Sequence, residues 1–184
     1  MSKNDLLSRG RTCLLVVDVQ ERLLPVIHEN EMVARNIERL IRGAEILGVP
    51  VIVSEQYPKG LGPTVEPLRK LVEGAAVAEK LTFSCLRDPG LAERLRQTGR
   101  DTLLVCGIES HVCVLQTSLD ALREGYKVQV AADAVSSRSP ANKQVALERL
   151  AGAGAVITCT ESALFELLEK AGSEEFKQIS RLVK

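Results

Sequence analysis

The chain has 184 residues, a length typical of one globular domain, and we expect residues 1–184 to form a single domain. Basic and acidic residues are equal at 24 each, so the formal net charge is zero. This balance argues against nucleic acid or an anionic membrane as a partner, because both attract basic proteins. Aromatic residues make up only 3% and tryptophan is absent, which disfavours base stacking.

Cysteine usage indicates a reducing compartment. The five cysteines are an odd number, and the sequence contains no Cys-x-x-Cys pair, unlike a disulfide-stabilised secreted domain. The first residues, MSKNDLLSRGR, lack the apolar core of a secretory signal. No apolar run is long enough to cross a bilayer. We therefore expect a cytoplasmic protein without a membrane partner.

Short apolar runs alternate with amphipathic stretches along the chain. Apolar runs of this kind predict strands that are buried on both faces, at Thr12–Val17, Pro50–Ser54, Ala75–Lys80, Thr102–Cys106, Tyr126–Ala131 and Ala155–Cys159. Helical spacing predicts helices at Glu31–Leu47, Gly90–Thr98, His111–Glu124, Ser139–Gly152, Ser162–Ala171 and Glu174–Val183. Between them we predict helical turns at Glu21–Ile27 and Leu68–Gly74, irregular segments at Glu55–Pro67 and Leu81–Pro89, and a sharp turn at Gly107–Ser110.

This alternation predicts an α/β fold, a three-layer α-β-α sandwich with a mainly parallel six-stranded sheet of Rossmann-like type. The segment Glu55–Pro67 contains three prolines and two glycines, and irregular segments of this length are often functional. The turn after the first strand reads DVQERL and has no glycine-rich phosphate loop. A dehydrogenase of the NAD type is therefore disfavoured.

Three chemically useful side chains are predicted at the carboxyl edge of the sheet, where ligands bind in open α/β folds. Asp18 ends the first strand, Lys80 ends the third, and Cys113 is expected in the first helical turn after the fourth. A helix N-terminus and a lysine both lower the pKa of a thiol. Cys113 is therefore a candidate thiolate nucleophile with Asp18 as its base. The alternative is that charged residues end these strands because the chain reaches water there.

The turn before Cys113 offers donors for a developing oxyanion. The backbone N–H groups of Glu109 and Cys113 approach a helix start and are candidate oxyanion donors. The alternative is that Gly107 only makes the turn and Ser110 only caps the helix.

Loops near these strand ends supply candidate substrate-pocket residues, at Gln20, Gln56, Tyr57, Phe83 and Ser84. Ordinary loop packing is an equally good explanation for each of them. His111 is two residues from Cys113, and residues two apart on a helix face different ways, so we expect it behind the nucleophile or at an interface. Asp133 is expected to cap a helix or bond a loop.

Three motifs in this order resemble the isochorismatase-like cysteine hydrolases, which include nicotinamidases and N-carbamoyl amidases. The motifs are VVDVQ around Asp18, EKLTFS from Glu79 to Ser84, and GIESHVCV from Gly107 to Val114. Within this family, EQYPKGLGPTV, CGIES and DAVSSRS are most similar to the isochorismatase-domain-containing proteins. The resemblance covers nearly the whole chain.

The resemblance implies the isochorismatase-like hydrolase fold, an Asp18–Lys80–Cys113 catalytic triad and a homo-oligomer, a dimer or larger. It also implies a cis peptide bond between Ile108 and Glu109, which turns the Glu109 amide toward that of Cys113. Such a bond is retained only where the surrounding structure enforces it.

Two departures from family patterns direct the functional prediction. Metal-dependent nicotinamidases carry Asp-x-His after the second strand, where this chain reads Ser54–Gln56, and its only histidines are His28 and His111. We therefore predict no metal and no cofactor. Isochorismatases proper look as if they lack the nucleophilic cysteine that this chain has. The resemblance thus implies hydrolysis of a small amide, carbamoyl or related C–N substrate through a Cys113 thioester. The alternative is a non-catalytic binding or scaffold protein on an inherited fold.

Overall fold

The computed structural model describes residues 6–73 and 76–184, and in these residues six strands form one sheet. The strands are β1 (Thr12–Val17), β2 (Val51–Gln56), β3 (Ala76–Lys80), β4 (Thr102–Ile108), β5 (Lys127–Ser136) and β6 (Val156–Thr158). Their order across the sheet is β3-β2-β1-β4-β5-β6, and every neighbouring pair is parallel. The predicted fold class is confirmed.

Helices connect the strands. They are α1 (Asn30–Leu47), α2 (Pro58–Leu61), α3 (Glu66–Leu71), α4 (Pro89–Gln97), α5 (Leu115–Arg123), α6 (Pro140–Ala153), α7 (Thr160–Leu168) and α8 (Glu174–Val183). Single turns of 3₁₀ helix lie at Leu24–Val26 and Cys85–Arg87, and a π-helical turn lies at Ser110–Val114. None of the helices in the described ranges is long and apolar enough to span a membrane.

The central strand β1 shows why helices cover both faces of the sheet. Its six residues are all buried, and successive side chains of a strand point to opposite faces. Leu14 and Val16 pack in a core that includes residues of α1, α7 and α8. Cys13, Leu15 and Val17 pack in a second core with residues of α4, α5 and α6. The result is three layers, with the sheet in the middle.

Two predicted boundaries near the candidate site are wrong. β4 continues to Ile108, so the turn predicted at Gly107–Ser110 is wrong in its first half. β5 continues to Ser136, beyond the predicted end at Ala131. The register between β4 and β5 shifts after Val105, and this bulge lets additional β5 residues lie beside β4.

The predicted irregular segments contain short helices. The segment Glu55–Pro67 includes the end of β2, all of α2 and the start of α3, and Leu81–Pro89 includes a 3₁₀ turn. Both α2 and α3 have proline in their first turn, where its fixed φ favours a helix start. Gly74 and Ala75, the ends of a predicted helix and strand, lie outside the described residues, as does the start of the N-terminal segment, residues 1–5.

Gly107 lets β4 pass close to β1 just before the candidate site. Its φ is +115°, a value that favours glycine. A Cβ atom at this position would lie 2.6 Å from the Val17 nitrogen and 2.8 Å from the Val17 carbonyl carbon. Because both atoms are backbone, a side chain here forces the two strands apart.

Gly107→Ala is therefore expected to lower the free energy of unfolding by about 3 kcal/mol or more. Gly152→Ala is the matched control, because a Cβ there meets nothing within 4 Å. In the helix α6, that change is expected to stabilise by about 0.5–1 kcal/mol. Urea unfolding followed by circular dichroism measures both. Equal stability of the two variants would contradict this account of β4.

Candidate active site

A buried ion pair lies at the carboxyl edge of the sheet. Lys80 Nζ donates to Asp18 Oδ2 at 2.7 Å, and neither side chain is exposed to solvent. Asp18 follows β1 and Lys80 ends β3, so β2 lies between the strands that carry them. The structure therefore brings together the two charged side chains that the sequence places on this edge.

Two side chains of β2 complete the hydrogen bonding of this pair. Ser54 Oγ donates to Asp18 Oδ1 at 2.7 Å. Lys80 Nζ also donates to Gln56 Oε1 at 2.8 Å, and Gln56 Nε2 donates to the Leu81 carbonyl at 2.9 Å. Ser54 was not predicted as a site residue, although it too is a polar residue at the end of an apolar run.

Cys113 joins this pair from the other side of β1. It lies in the π-helical turn between β4 and α5, and only 6% of it is exposed. Asp18 and Lys80 both lie near enough to its thiol to influence the pKa of that thiol. All three predicted catalytic side chains therefore meet. Cys113 does not lie in the first turn of the predicted α-helix, because α5 begins only at Leu115.

The charge state of the site follows from burial and from these contacts. Burial raises the pKa of the Cys113 thiol, the charge and hydrogen bond of Asp18 raise it further, and Lys80 lowers it by less. The expected lowering of this pKa is therefore wrong. Burial lowers the pKa of Lys80, but the charge of Asp18 and its hydrogen bond to Lys80 act in the opposite direction, and the net shift of this pKa is upward. The resting site thus pairs an ammonium with a carboxylate beside a neutral thiol.

A second buried thiol lies next to the first. Cys85, in the 3₁₀ turn after β3, is fully buried, and its backbone N–H donates to Thr117 Oγ1 at 2.9 Å. Burial raises its pKa, and Asp18, Lys80 and Ser54 lie near enough to influence it. Sequence spacing gave no signal for this contact, because the turn that carries Cys85 is placed by tertiary packing on α5.

The residues before Cys113 hold the candidate oxyanion donors. The Ile108–Glu109 peptide bond is cis in the structure. The Glu109 side chain is buried, and its Oε2 accepts hydrogen bonds from the Arg138 backbone nitrogen at 3.0 Å and Nε at 3.2 Å. The Glu109 side chain is thus engaged by Arg138, and the backbone N–H of Glu109 is the group that this residue can offer to a substrate.

Two predicted pocket residues have structural contacts instead. Gln20 is fully buried. Its Nε2 donates to the carbonyl oxygens of Gln56 and Gly62, and its Oε1 accepts a hydrogen bond from the Gln56 nitrogen. Gln20 therefore holds the loop in place and presents no free group to a ligand. Ser84 is also fully buried, and its hydroxyl caps the 3₁₀ turn by accepting from the Leu86 nitrogen at 3.3 Å.

Tyr57 and Phe83, two further predicted pocket residues, lie at the surface. Tyr57 and Phe83 are each about half exposed. Tyr57 borders a surface pocket of about 480 Å³, which is lined by Tyr57, Pro58, Lys59, Glu79, Lys80, Leu81, Thr82, Arg87, Asp88 and Pro89. Leu81 is 75% exposed, so the approach to Lys80 is bordered by apolar and aromatic surface.

His111 and Asp133 have partners away from the thiol. His111 Nδ1 lies 2.8 Å from Ser137 Oγ, in the segment after β5. Asp133 Oδ1 accepts from the Thr160 nitrogen at 2.8 Å and from Thr160 Oγ1 at 2.9 Å. Because Thr160 begins α7, the expected helix-capping role of Asp133 is confirmed.

Metal-ligating side chains do not cluster in the described part of the chain. No group of three or more His, Cys, Asp or Glu side chains with the geometry of a metal site occurs there. The absence of a metal from the mechanism stays a prediction.

These features define an α/β protein with cysteine, aspartate and lysine side chains gathered at the carboxyl edge of a parallel sheet. The family model of the isochorismatase domain matches residues 12–162. The chain therefore belongs to the isochorismatase-like hydrolase family, as the three sequence motifs predict.

Two relatives agree with this assignment. The secreted isochorismatase effector Isc1 of Phytophthora sojae is 44% identical over 176 residues, with 93% of this chain and 83% of that protein covered. Isochorismatase domain-containing protein 1 of Danio rerio is 40% identical over 178 residues. That match covers 97% of this chain but 62% of the fish protein, so this chain spans less than two thirds of its length.

Solved structures share the fold over most of the chain. MAR1 ribonuclease from Caenorhabditis elegans has a TM-score of 0.88 and 36% identity, covering 97% of this chain and 92% of that one. YcaC from Pseudomonas aeruginosa, solved with hexane-2,5-diol and covalent acrylamide, has a TM-score of 0.89 and 26% identity. The match covers 95% of this chain and 89% of that one. The YcaC product of Escherichia coli, an octameric hydrolase of unknown specificity, has a TM-score of 0.88 at 24% identity. The match covers 92% of this chain and 85% of that one.

The electrostatic account predicts opposite shifts of the Cys113 pKa in two variants. Asp18→Asn removes a negative charge that disfavours the thiolate, so this pKa is expected to fall. Lys80→Met removes the cation that favours the thiolate, so the pKa is expected to rise. The ultraviolet absorbance of the thiolate, measured against the same variant carrying Cys113→Ala, gives each pKa. Shifts of the same sign would contradict the account, once thermal unfolding has shown that both variants are folded.

Proposed function

We propose that this protein is a metal-independent cysteine hydrolase that cleaves a small amide, carbamoyl or related C–N substrate through a thioester on Cys113. The observation that carries the proposal is the proximity of this nearly buried thiol to an Asp18 carboxylate that accepts hydrogen bonds from Lys80 and Ser54. A nucleophile beside an oriented base is the arrangement that covalent catalysis requires.

In the proposed first half-reaction, Cys113 is acylated. Asp18 accepts the thiol proton while the sulfur attacks the substrate carbonyl carbon. The N–H groups of Glu109 and Cys113 donate to the oxyanion of the tetrahedral intermediate. The carbon–nitrogen bond then breaks, and Asp18 gives its proton to the leaving amine. Lys80 keeps a positive charge beside the carboxylate during both proton transfers.

In the second half-reaction, water releases the acyl group. Asp18 accepts a proton from the water molecule while the water oxygen attacks the thioester carbon. The carbon–sulfur bond breaks, and the proton returns to the sulfur of Cys113. The neutral resting thiol suits this cycle, because the base and the proton that it moves are both in place before the substrate binds.

One structural neighbour supports a nucleophile in this fold. YcaC from Pseudomonas aeruginosa carries a covalent acrylamide, a small electrophilic amide. Another neighbour is a ribonuclease. We propose no such activity for this chain, because an RNA substrate requires an accessible basic surface. The net charge of this chain is zero, and the side chains of Asp18 and Lys80 are buried.

The alternative function is a non-catalytic binding or scaffold protein. The raised pKa of Cys113 is the observation that favours it, because a protonated thiol is a poor nucleophile when no base assists. The two functions differ in turnover, which a variant at Cys113 tests directly.

We also propose a homo-oligomer and a cytoplasmic location. The octameric state of the Escherichia coli neighbour and the exposed apolar side chains of Leu81 and Phe83 support self-association. The five free cysteines support a reducing compartment. Light scattering of the purified protein tests the first proposal.

The hydrolase proposal predicts ammonia release from one or more members of a panel of small amides and carbamoyl compounds. Cys113→Ala is expected to lower that turnover by at least about 10³-fold, because the covalent path is lost. Cys159→Ala is the matched control, since Cys159 is partly exposed and binds Ser162. Its turnover is expected to match that of the unchanged protein. Full activity of Cys113→Ala on a confirmed substrate would exclude Cys113 as the nucleophile.

A further inference from the structure

Ser54 is a buried hydroxyl to which the proposed mechanism gives no step. It is fully buried in β2, level with Val17, the residue before Asp18. Its Oγ donates to Asp18 Oδ1 at 2.7 Å. A hydrogen bond from a hydroxyl to an ionised carboxylate is stronger than one between neutral groups. This contact therefore acts on the group that the mechanism uses as its base.

Ser54 and Lys80 bind different oxygens of the same carboxylate. Lys80 Nζ donates to Oδ2 of Asp18, whereas Ser54 donates to Oδ1. The terminal torsion of an aspartate is broad and roughly two-fold, so one donor alone leaves the carboxylate free to turn. Two donors on separate strands fix its plane. Each oxygen accepts more than one hydrogen bond, so a lone pair remains for the Cys113 thiol.

The strand β2 carries matched contacts to both members of the ion pair. Ser54 and Gln56 are two residues apart and share a face of the strand. Ser54 binds Asp18, and Gln56 binds Lys80 at 2.8 Å. The strand between the base and the cation thus holds both.

We propose that Ser54 is a positioning residue, which keeps the Asp18 carboxylate in the orientation from which it exchanges protons with Cys113 and with the hydrolytic water. This inference rests on the proposed cysteine hydrolase function and adds a residue to it. Ser54 itself forms no bond to the substrate and keeps its own proton throughout.

Deacylation isolates this role from the properties of the thiol. Once Cys113 carries an acyl group it has no proton to lose, so the rate no longer depends on ionisation of the thiol before attack. The remaining step is attack by water, for which Asp18 must accept a proton in the correct orientation. A displaced carboxylate therefore slows the loss of the acyl group.

The test uses p-nitrophenyl acetate as the acyl probe. Release of p-nitrophenol reports acetylation, and peptide mass spectrometry follows the loss of the acetyl group from Cys113. In Ser54→Ala we expect deacetylation about tenfold slower at pH 7, the loss that follows removal of one hydrogen bond to a charged group. Asp18→Asn is expected to be slower by about 10²-fold or more. Ser54→Thr keeps the hydroxyl and is expected to restore the rate to within about threefold.

The pH profile separates positioning from a general structural effect. Loss of a donor to the ionised carboxylate favours its protonated form, so the acid limb of deacetylation is expected to move to higher pH in Ser54→Ala. Ser118→Ala is the matched control, because Ser118 is fully buried and its hydroxyl has no partner among the described residues. Its rate and profile are expected to match those of the unchanged protein.

Each other outcome rejects a specific claim. If Asp18→Asn is slow but Ser54→Ala deacetylates normally, the inference about Ser54 is wrong and the proposed function stands. A purely structural role gives a different result: Ser54→Ala deacetylates slowly at every pH, the acid limb of its pH profile does not move, and Ser54→Thr is equally slow. In that case the inference is again wrong. If Cys113 takes up no acetyl group, or Asp18→Asn deacetylates normally, the proposed function fails and the inference fails with it.

Discussion

The buried contact between Asp18 and Lys80 is the constraint on which the site depends. A buried ion pair is stable only when further hydrogen bonds satisfy both charged groups, because the cost of desolvation offsets much of the attraction between them. Here Ser54 and Gln56 supply those hydrogen bonds from the intervening strand. The requirement fixes three neighbouring strands in register at their carboxyl ends, and it gives the Cys113 thiol a carboxylate in a set orientation.

The loops around the ion pair are held by contacts to main-chain atoms. Gln20 binds the backbone of Gln56 and Gly62, and Glu55 accepts from the nitrogen and hydroxyl of Thr64 at 2.6 and 2.7 Å. These contacts secure the segment after β2. On the other side, Arg87 Nε donates to Asp120 Oδ2 at 2.7 Å and ties the segment after β3 to α5. The segment after β2 is therefore ordered by buried polar groups, whose hydrogen bonds are costly to break.

Much of the fold and the three central residues of the site could be predicted from the sequence. Continuous apolar runs mark strands covered on both faces, and the polar residue after each run marks the edge where ligands bind. Asp18 and Lys80 were found in this way, and the predicted start of a helix after the fourth strand indicated Cys113. The contacts of Gln20 and Ser84 could not be predicted, because a position in a loop does not reveal which way a buried side chain points or what it binds.

The sequence by itself determined the order of strands and helices, the parallel sheet and the family, since periodicity and local motifs are properties of neighbouring residues. Tertiary structure alone decided the protonation of Cys113 and the partners of Asp18. A thiol's pKa depends on burial and on charges brought from distant strands, and spacing along the chain contains neither. The bulge after Val105, which carries β4 to Ile108, likewise depends on pairing with β5.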